Sequence, residues 1–131
     1  MLQAVHHVAI IVSDYEKSKA FYVDTLGLEV VRENYRADRG SYKLDVKLGD
    51  CELEIFSFPG SPQRLTRPEA CGLRHLAFRV TDIHEPSQNW NAAASRWSQS
   101  AWTPIQGICT PFLWTDGLPL ELKQCAAPGQ N

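Results

Sequence analysis

The sequence lacks two features that would point directly to a partner, a run of basic residues and a long apolar segment. Its 13 Lys and Arg are interspersed with 15 Asp and Glu, and the formal net charge is -2. Without a basic stripe to follow a phosphate backbone, we predict no nucleic-acid partner. The apolar run near the N-terminus is interrupted by Asp14, and no stretch approaches about 18 apolar residues. We therefore expect neither a signal peptide nor a membrane span.

Cysteine is sparse as well. The four cysteines are scattered without a C-x-x-C pair, which excludes a disulfide framework and a zinc ribbon. We expect a cytoplasmic protein whose thiols are reduced and mostly buried. With 131 residues, 44% of them hydrophobic, the chain is long enough for one domain with its own core. The cysteines are Cys51, Cys71, Cys109 and Cys125.

One phrase occurs twice in the chain. Residues 6–14 read "HHVAIIVSD" and residues 74–82 read "RHLAFRVTD", which aligns His7 with His75. Alternation in the first copy places His7, Ala9 and Ile11 on one face of a strand. Both faces of that strand are largely apolar. We therefore predict that it is covered on both sides and that His7 points into an enclosed space.

A helix and a hairpin are predicted after the first copy. Ser13 and Glu16 have the spacing of a capping box, and Gly27 is placed where the helix would end. Further on, "YKLDVKLGDCELEIFSF" predicts a hairpin with Gly49-Asp50 as its turn. The helical stripe consists of Ser18, Phe21, Tyr22, Thr25 and Leu26.

Each half of the chain also carries a glutamate near its end. Glu54 is in the second arm of the hairpin, and Glu121 is in "DGLPLELKQ", after an Asp-Gly turn. His75 follows His7 by 68 residues and Glu121 follows Glu54 by 67. The chain is therefore an internal duplication of one unit, with too few copies for a solenoid.

Two histidines and two glutamates at equivalent places form a candidate metal site. If the halves are related by a pseudo-two-fold axis, the four residues converge on that axis. They provide two imidazoles and two carboxylates, a mixed set of donors that suits a divalent ion. This set does not choose among Zn, Ni, Mn, Co and Fe. The candidate ligands are His7, Glu54, His75 and Glu121.

Each of these residues, taken alone, has a plainer interpretation. A single histidine on an apolar strand is more often a core residue. Glu54 could be a solvated strand residue, because Glu52 lies on the same face. His6 points to the opposite face, and we interpret it as a core histidine or as one that contacts a metal ligand from outside. His84 has no counterpart in the first half and receives no role.

Arg79 is a candidate substrate-binding residue. It shares the face of His75, at the place where the first copy has Ile11. A guanidinium there would bind an anionic substrate group through two parallel hydrogen bonds. An ion pair with Glu52 or another acid is an equally good interpretation.

A wider pattern surrounds these residues. It runs through "VHHVAIIVSDYEKSKAFYVDTLGLEVV", "ELEIFSFP", "RPEACGLRHLAFRVTDI" and "DGLPLEL". By this pattern the chain resembles the glyoxalase and bleomycin-resistance family, also called the vicinal oxygen chelate superfamily. It is similar in particular to small bacterial members related to lactoylglutathione lyase. A histidine at the start and a glutamate near the end of each half are the metal ligands of that family.

The resemblance implies a fold. We expect an α+β architecture in which paired β-α-β-β-β modules form a sheet that curls around the metal, usually in a homodimer. The first module is placed at 1–58, the connection at 59–72, the second module at 73–125 and a tail at 126–131. All of these lie within a single domain, 1–131.

The resemblance also implies a chemistry, the chelation of vicinal substrate oxygens by the divalent ion. We expect a lyase or isomerase of the glyoxalase I type, which stabilises the enediolate of an α-hydroxycarbonyl or thiol-conjugate substrate. One glutamate then transfers the proton. Glu121 is preferred for this role, and Glu54 is the alternative.

Two other functions use the same fold. An iron-dependent extradiol-type dioxygenase needs two histidines and one carboxylate, and the fourth ligand argues against it because oxygen and catechol need open positions. A drug-sequestering protein that works without metal has no need of four ligands. The predicted partner is a small molecule in every case.

The segment after the second copy departs from the repeat. It holds all four tryptophans of the chain, Pro86 and few charged residues, a poor composition for an amphipathic helix and paired strands. Similar proteins have a charged helix there. Our hypothesis is that roughly residues 84–114 are translated out of frame and that the native reading returns at "TDGLPLEL".

Overall fold

The structure is a computed structural model that describes residues 1–65, 67–82, 102–105 and 108–125. The chain divides into two compact units, Met1–Gln63 and Arg64–Asn131. The boundary between them falls inside the predicted connection, 59–72. The single domain and the module limits given above stay predictions.

The first unit has the predicted order of elements. Strand β1 (His7–Ile11) is followed by helix α1 (Tyr15–Lys19), which continues into a π-helical segment (Ala20–Thr25). Three further strands form a sheet in the order β1-β4-β3-β2, with β1 parallel to β4 and the other neighbours antiparallel. These are β2 (Glu29–Arg36), β3 (Ser41–Leu48) and β4 (Cys51–Ser57).

The helix begins one residue later than predicted. Asp14, not Ser13, is the N-cap, and its carboxylate accepts a hydrogen bond from the backbone N–H of Lys17 at 3.1 Å. An N-cap aspartate satisfies one of the N–H groups that lack a partner in the first turn. The predicted capping box is therefore wrong. The predicted end is confirmed, since Gly27 follows the helical stretch with φ at 72°, a left-handed conformation that favours glycine.

The core of the first unit lies on one face of its sheet. Alternate residues of the strands are fully buried, as period-2 patterning requires. They form this core together with aromatic side chains of the helical stretch. The buried residues are Ile10, Val12, Tyr15, Phe21, Tyr22, Leu44, Val46, Leu53 and Ile55.

The other face of the first sheet carries charged side chains, among them Lys43, Asp45 and Glu54. His7, Ala9 and Ile11 are exposed there, with the His7 side chain 44% accessible and Ile11 58%. The prediction that β1 is covered on both sides and encloses His7 concerns more than this one unit, and it stays a prediction.

The second unit repeats the strand order of the first. Its strands are β5 (Leu76–Val80), β6 (Trp102–Ile105), β7 (Ile108–Thr115) and β8 (Leu118–Gln124), in the order β5-β8-β7-β6 with β5 parallel to β8. The α+β fold and the internal duplication are thereby confirmed. The predicted turn is also present, since Asp116 and Gly117 have φ of 51° and 77°.

The hypothesis of an out-of-frame segment, 84–114, falls mostly outside the described residues, including the place where the repeat requires a helix. The described part forms β6 and most of β7, which pair with each other, and β7 also pairs with β8. Strand pairing is thus present despite the composition. The hypothesis itself stays a prediction.

The thiols are less buried than predicted. Cys71 is exposed, and Cys51 and Cys125 are half-buried, so the prediction of mostly buried thiols is wrong for these three. The side chain of Cys109 lies outside the described part. Within the described residues, no helix has the length and apolar character needed to cross a membrane.

The conformation of Gly27 gives a test of the helix end. An added Cβ at Gly27 meets nothing within 4 Å, so Gly27→Ala introduces backbone strain alone. We expect it to lower the free energy of unfolding by about 1 kcal/mol in urea titrations. Gly27→Asn is the matched control, and it should cost less because asparagine tolerates left-handed backbone. Equal costs for the two variants would contradict this account of the helix end.

Candidate metal centre

The first His–Glu pair is created by the parallel pairing of β1 with β4. His7 is opposite Glu52, and Ala9 is opposite Glu54. Since side chains two residues apart share a face, His7 and Glu54 are diagonal neighbours on the charged face. His7 Nε2 lies 3.8 Å from Glu54 Oε2.

The second pair has the same construction. His75 directly precedes β5, and Ala77 is opposite Glu121 on β8. His75 Nε2 lies 3.4 Å from Glu121 Oε2. In both units the histidine therefore presents Nε2 to the carboxylate of the glutamate.

The second contact, at 3.4 Å, has the separation expected of two ligands of one cation, and the first, at 3.8 Å, is slightly wider than that. Two donor atoms bound at about 2.0–2.2 Å to an ion with tetrahedral or octahedral angles are separated by roughly 2.8–3.6 Å. The glutamate side chains are 16% and 17% exposed, so both carboxylates are largely shielded from bulk water. Within the described residues, however, no three His, Cys, Asp or Glu side chains are grouped closely enough to hold a metal. Each unit provides two of the four predicted ligands.

The second ring nitrogens of the two histidines differ in their surroundings. His7 Nδ1 lies 2.9 Å from His6 Nδ1, and such a bond requires one protonated and one unprotonated nitrogen. His6 is exposed, so its interpretation as a core residue is wrong. The alternative interpretation is that His6 contacts the candidate metal ligand His7. It matches the usual way in which a hydrogen bond to the second ring nitrogen orients a ligating imidazole. His75 Nδ1 is buried and has no hydrogen-bond partner among the described atoms.

A charged network that the sequence reasoning missed surrounds Glu54. Asp45 on β3 is directly opposite Glu54, and Arg32 on β2 is directly opposite Asp45. Lys43 lies between the two carboxylates, with Nζ 2.7 Å from Glu54 Oε1 and 3.0 Å from Asp45 Oδ1. Arg32 Nε is 3.3 Å from Asp45 Oδ2. Since like charges directly opposite repel, the ammonium group of Lys43 offsets the repulsion between the two carboxylates.

The network also changes proton affinities. The hydrogen bond from Lys43 lowers the pKa of Glu54, and the charges of His7 and Arg32 add to this against the opposing effect of burial. The same hydrogen bond raises the pKa of Lys43. Glu54 is therefore held as an anion, with Oε1 occupied by Lys43 and Oε2 directed to His7.

The corresponding place in the second unit is different. The residue opposite Glu121 is Phe112, whereas the residue opposite Glu54 is Asp45. By the same register, Thr110 takes the place of Lys43. The duplication thus repeats the His–Glu pair but not the cation that anchors its carboxylate.

Arg79 is on β5, directly opposite Lys123 of β8. Both are exposed, and Arg79 forms no ion pair within the described part of its unit. Two cations side by side repel each other. An anionic group between them would relieve that repulsion.

A sequence signal for the missed network was present in "YKLDVKL". Lys43, Asp45 and Lys47 alternate with Leu44, Val46 and Leu48, which indicates a strand with one charged face. The role of Arg32 had no such signal, because it depends on an irregularity in β2.

Comparison with known proteins gives one family. The model described as Glyoxalase/Bleomycin resistance protein/Dioxygenase superfamily matches residues 4–96. The uncharacterized protein YwkD of Bacillus subtilis is 50% identical over 126 residues, which cover 95% of this chain and 98% of that protein.

Two further proteins are similar over most of their length. A crystal structure of a glyoxalase family protein from Enterococcus faecalis is 44% identical, with a TM-score of 0.72 and coverage of 92% of this chain and 96% of that chain. The ethylmalonyl-CoA/methylmalonyl-CoA epimerase of Cereibacter sphaeroides is 31% identical over 133 residues, covering 95% of this chain and 99% of that protein.

The bridge made by Lys43 predicts a pH-dependent stability difference. Replacement by methionine leaves Asp45 and Glu54 opposed, so Lys43→Met should lower the free energy of unfolding by about 1 kcal/mol at pH 7. A carboxylate with a lowered pKa stabilises the fold above its ordinary value of 4.5 and loses that contribution as the pH falls. The difference from wild type should therefore shrink in denaturant titrations below about pH 4.

Lys47→Met is the matched control, because Lys47 is exposed on the same face of β3 and the substitution removes the same charge. It should have little effect at any pH. If Lys43→Met and Lys47→Met destabilise equally, or if the difference persists unchanged at pH 3, Lys43 does not bridge the two carboxylates.

Proposed function

Because the chain belongs to the Glyoxalase/Bleomycin resistance protein/Dioxygenase superfamily, we propose that it is a divalent-metal-dependent lyase or isomerase of the glyoxalase I type. The observation that carries the proposal is the repeated contact between a histidine Nε2 and a glutamate Oε2, at 3.8 Å and 3.4 Å. The two oxygens of a carboxylate are equivalent, so what repeats is a histidine Nε2 beside a glutamate carboxylate, and this repetition supports a common role for the two pairs.

The proposed ligands are His7, Glu54, His75 and Glu121. Two neutral imidazoles and two carboxylates suit Zn, Ni, Mn, Co and Fe alike. When bound, the ion would chelate vicinal oxygens of the substrate and stabilise the negative charge of an enediolate.

The surroundings of the two glutamates support a division of roles. Glu54 is fixed by Lys43, which donates to Oε1 and lowers the pKa of the carboxyl. An anchored carboxylate with low proton affinity is a good permanent ligand and a poor base. Glu121 has Phe112 opposite it in register, and Thr110 takes the place of Lys43, so the strand beside Glu121 does not repeat the lysine that anchors Glu54. We assign Glu121 as the base and keep Glu54 as the alternative.

The substrate of this proposal is an α-hydroxycarbonyl compound or a thiol conjugate with an anionic group. Arg79, exposed beside Lys123, is the proposed binding residue for that group. The similarity to an ethylmalonyl-CoA/methylmalonyl-CoA epimerase supports a thioester as the conjugate and favours epimerisation as the second candidate function. Both functions begin with removal of a proton next to a carbonyl.

The remaining functions receive less support. A dioxygenase would leave the fourth ligand without a purpose, and a metal-free drug-binding protein would leave both pairs without one. The homodimer implied by the family stays a prediction, as does a cytoplasmic location.

The test uses an exchange reaction that lyase and epimerase share. The protein is incubated in D₂O with a divalent ion, and with either methylmalonyl-CoA or the hemithioacetal of methylglyoxal and glutathione. Deuterium incorporation is followed by mass spectrometry, and metal binding by calorimetry. We expect Glu121→Gln to lower the exchange rate by at least about 100-fold while it keeps metal binding, since the amide still coordinates through oxygen. His75→Ala should greatly weaken metal binding and abolish exchange.

Glu54→Gln separates the roles of the two carboxylates. It should lower the exchange rate less than Glu121→Gln does. Wild-type exchange by Glu121→Gln would refute the assignment of the base. Failure of the wild-type protein to bind Zn, Ni, Mn, Co or Fe would refute the proposed function.

A further inference from the structure

A β-bulge places Arg32 on the face that carries the first His–Glu pair. In the pairing of β2 with β3, Val30 is opposite Val46 and Arg32 is opposite Asp45, so Val31 is an extra residue. A bulge re-aims the side chains that follow it. Regular pairing would have put Val31 opposite Asp45 and turned Arg32 away from this face.

An ion pair with Asp45 orients the side chain of Arg32. The Asp45 side chain is only 1% exposed, and a carboxylate is rarely so buried unless it is paired. The guanidinium approaches it through Nε, at 3.3 Å, while the Arg32 side chain as a whole is 62% exposed. Among the described residues Asp45 is the one ion-pair partner of Arg32. Donors on the two terminal nitrogens therefore remain for another group.

Arg32, Asp45, Lys43 and Glu54 form a row of charges across the sheet. The positive and negative charges of this row become unbalanced when a cation binds to Glu54. Without metal, Arg32 and Lys43 balance Asp45 and Glu54. Once the charge of Glu54 is shared with a bound ion, Arg32 and Lys43 face Asp45 alone, and the row carries one excess positive charge. An anionic group of the substrate would restore the balance.

The distance across the sheet fixes where that group would bind. Arg32 and Glu54 are separated by one strand, and neighbouring strands are about 4.8 Å apart, so their backbones lie roughly 10 Å apart. A group that contacts the terminal nitrogens of Arg32 is therefore close to the metal ligand but not on it.

We propose that Arg32, oriented by Asp45 and exposed by the bulge at Val31, binds an oxyanion of the substrate, a carboxylate or a phosphate, beside the oxygens that the metal chelates. This inference rests on the proposed function and narrows its substrate class.

The test compares probes that differ by one anionic group. Lactate and malate share an α-hydroxycarboxylate, and malate adds a carboxylate. Glycerate and 3-phosphoglycerate differ by a phosphate in the same way. Affinities for protein loaded with Mn(II) are measured by calorimetry. For each pair we take the ratio of the two affinities, from which the contribution of the shared metal-binding group cancels. A bidentate charged contact should favour the second member of a pair by about tenfold or more, and the favoured pair identifies the carboxylate or the phosphate.

Arg36 provides the matched control. It lies on the same face of β2, four residues beyond Arg32, and its partner is the exposed Asp38. We expect Arg32→Met to reduce the favoured ratio to about 1, Arg32→Lys to retain part of it because a lysine has no guanidinium fork, and Arg36→Met to leave it unchanged. The inference is overturned if Arg32→Met and Arg36→Met give the same ratio, or if wild type prefers neither anionic probe.

Failure of the proposed function would be visible separately. If no divalent ion binds, that proposal fails, and the Arg32 site is tested on metal-free protein with sodium phosphate and sodium malonate. Amide shifts of β2 and β3 in NMR spectra should then respond to one of these anions in wild type and Arg36→Met but not in Arg32→Met. Identical responses in all three proteins would overturn the inference.

Discussion

The parallel pairing of the first and last strand of each module is the constraint on which the candidate site depends. β1 pairs with β4 and β5 with β8, and in both cases the residue two positions after the histidine is opposite the glutamate. Because side chains alternate, this register makes the histidine and the glutamate diagonal neighbours on one face. A slip of one residue would turn each glutamate toward the core. The hydrophobic pattern that fixes the register therefore also fixes the two His–Glu pairs.

The two copies share this pairing but surround it differently. Glu54 is part of a row of charges in which a buried aspartate, a lysine and an arginine neutralise one another. Glu121 is paired in register with Phe112. Duplication thus supplied two equivalent sets of donors, and divergence of the neighbouring strand made one carboxylate an anchored anion. This difference is the physical basis for giving the two glutamates separate roles.

Much of this could be predicted from the sequence, because the strands alternate regularly and the His–Glu motif occurs twice. The alternation of Leu118, Leu120 and Leu122 with Glu121 is a direct example, since the leucines are buried and the glutamate is on the other face. Other features depend on tertiary detail. The bulge at Val31 has no glycine or proline to indicate it, so the position of Arg32 was not predictable.

The most direct test of the central claim is a count of imidazoles around a single bound ion. X-ray absorption spectra of the wild-type protein with one equivalent of Zn(II) report nitrogen and oxygen donors and the characteristic outer scattering of imidazole. If both halves contribute to one site, the protein binds one ion per chain, and the spectrum fits two imidazoles together with oxygen donors. Two ions per chain with one imidazole each, or no bound ion, would contradict a shared centre made from His7, Glu54, His75 and Glu121.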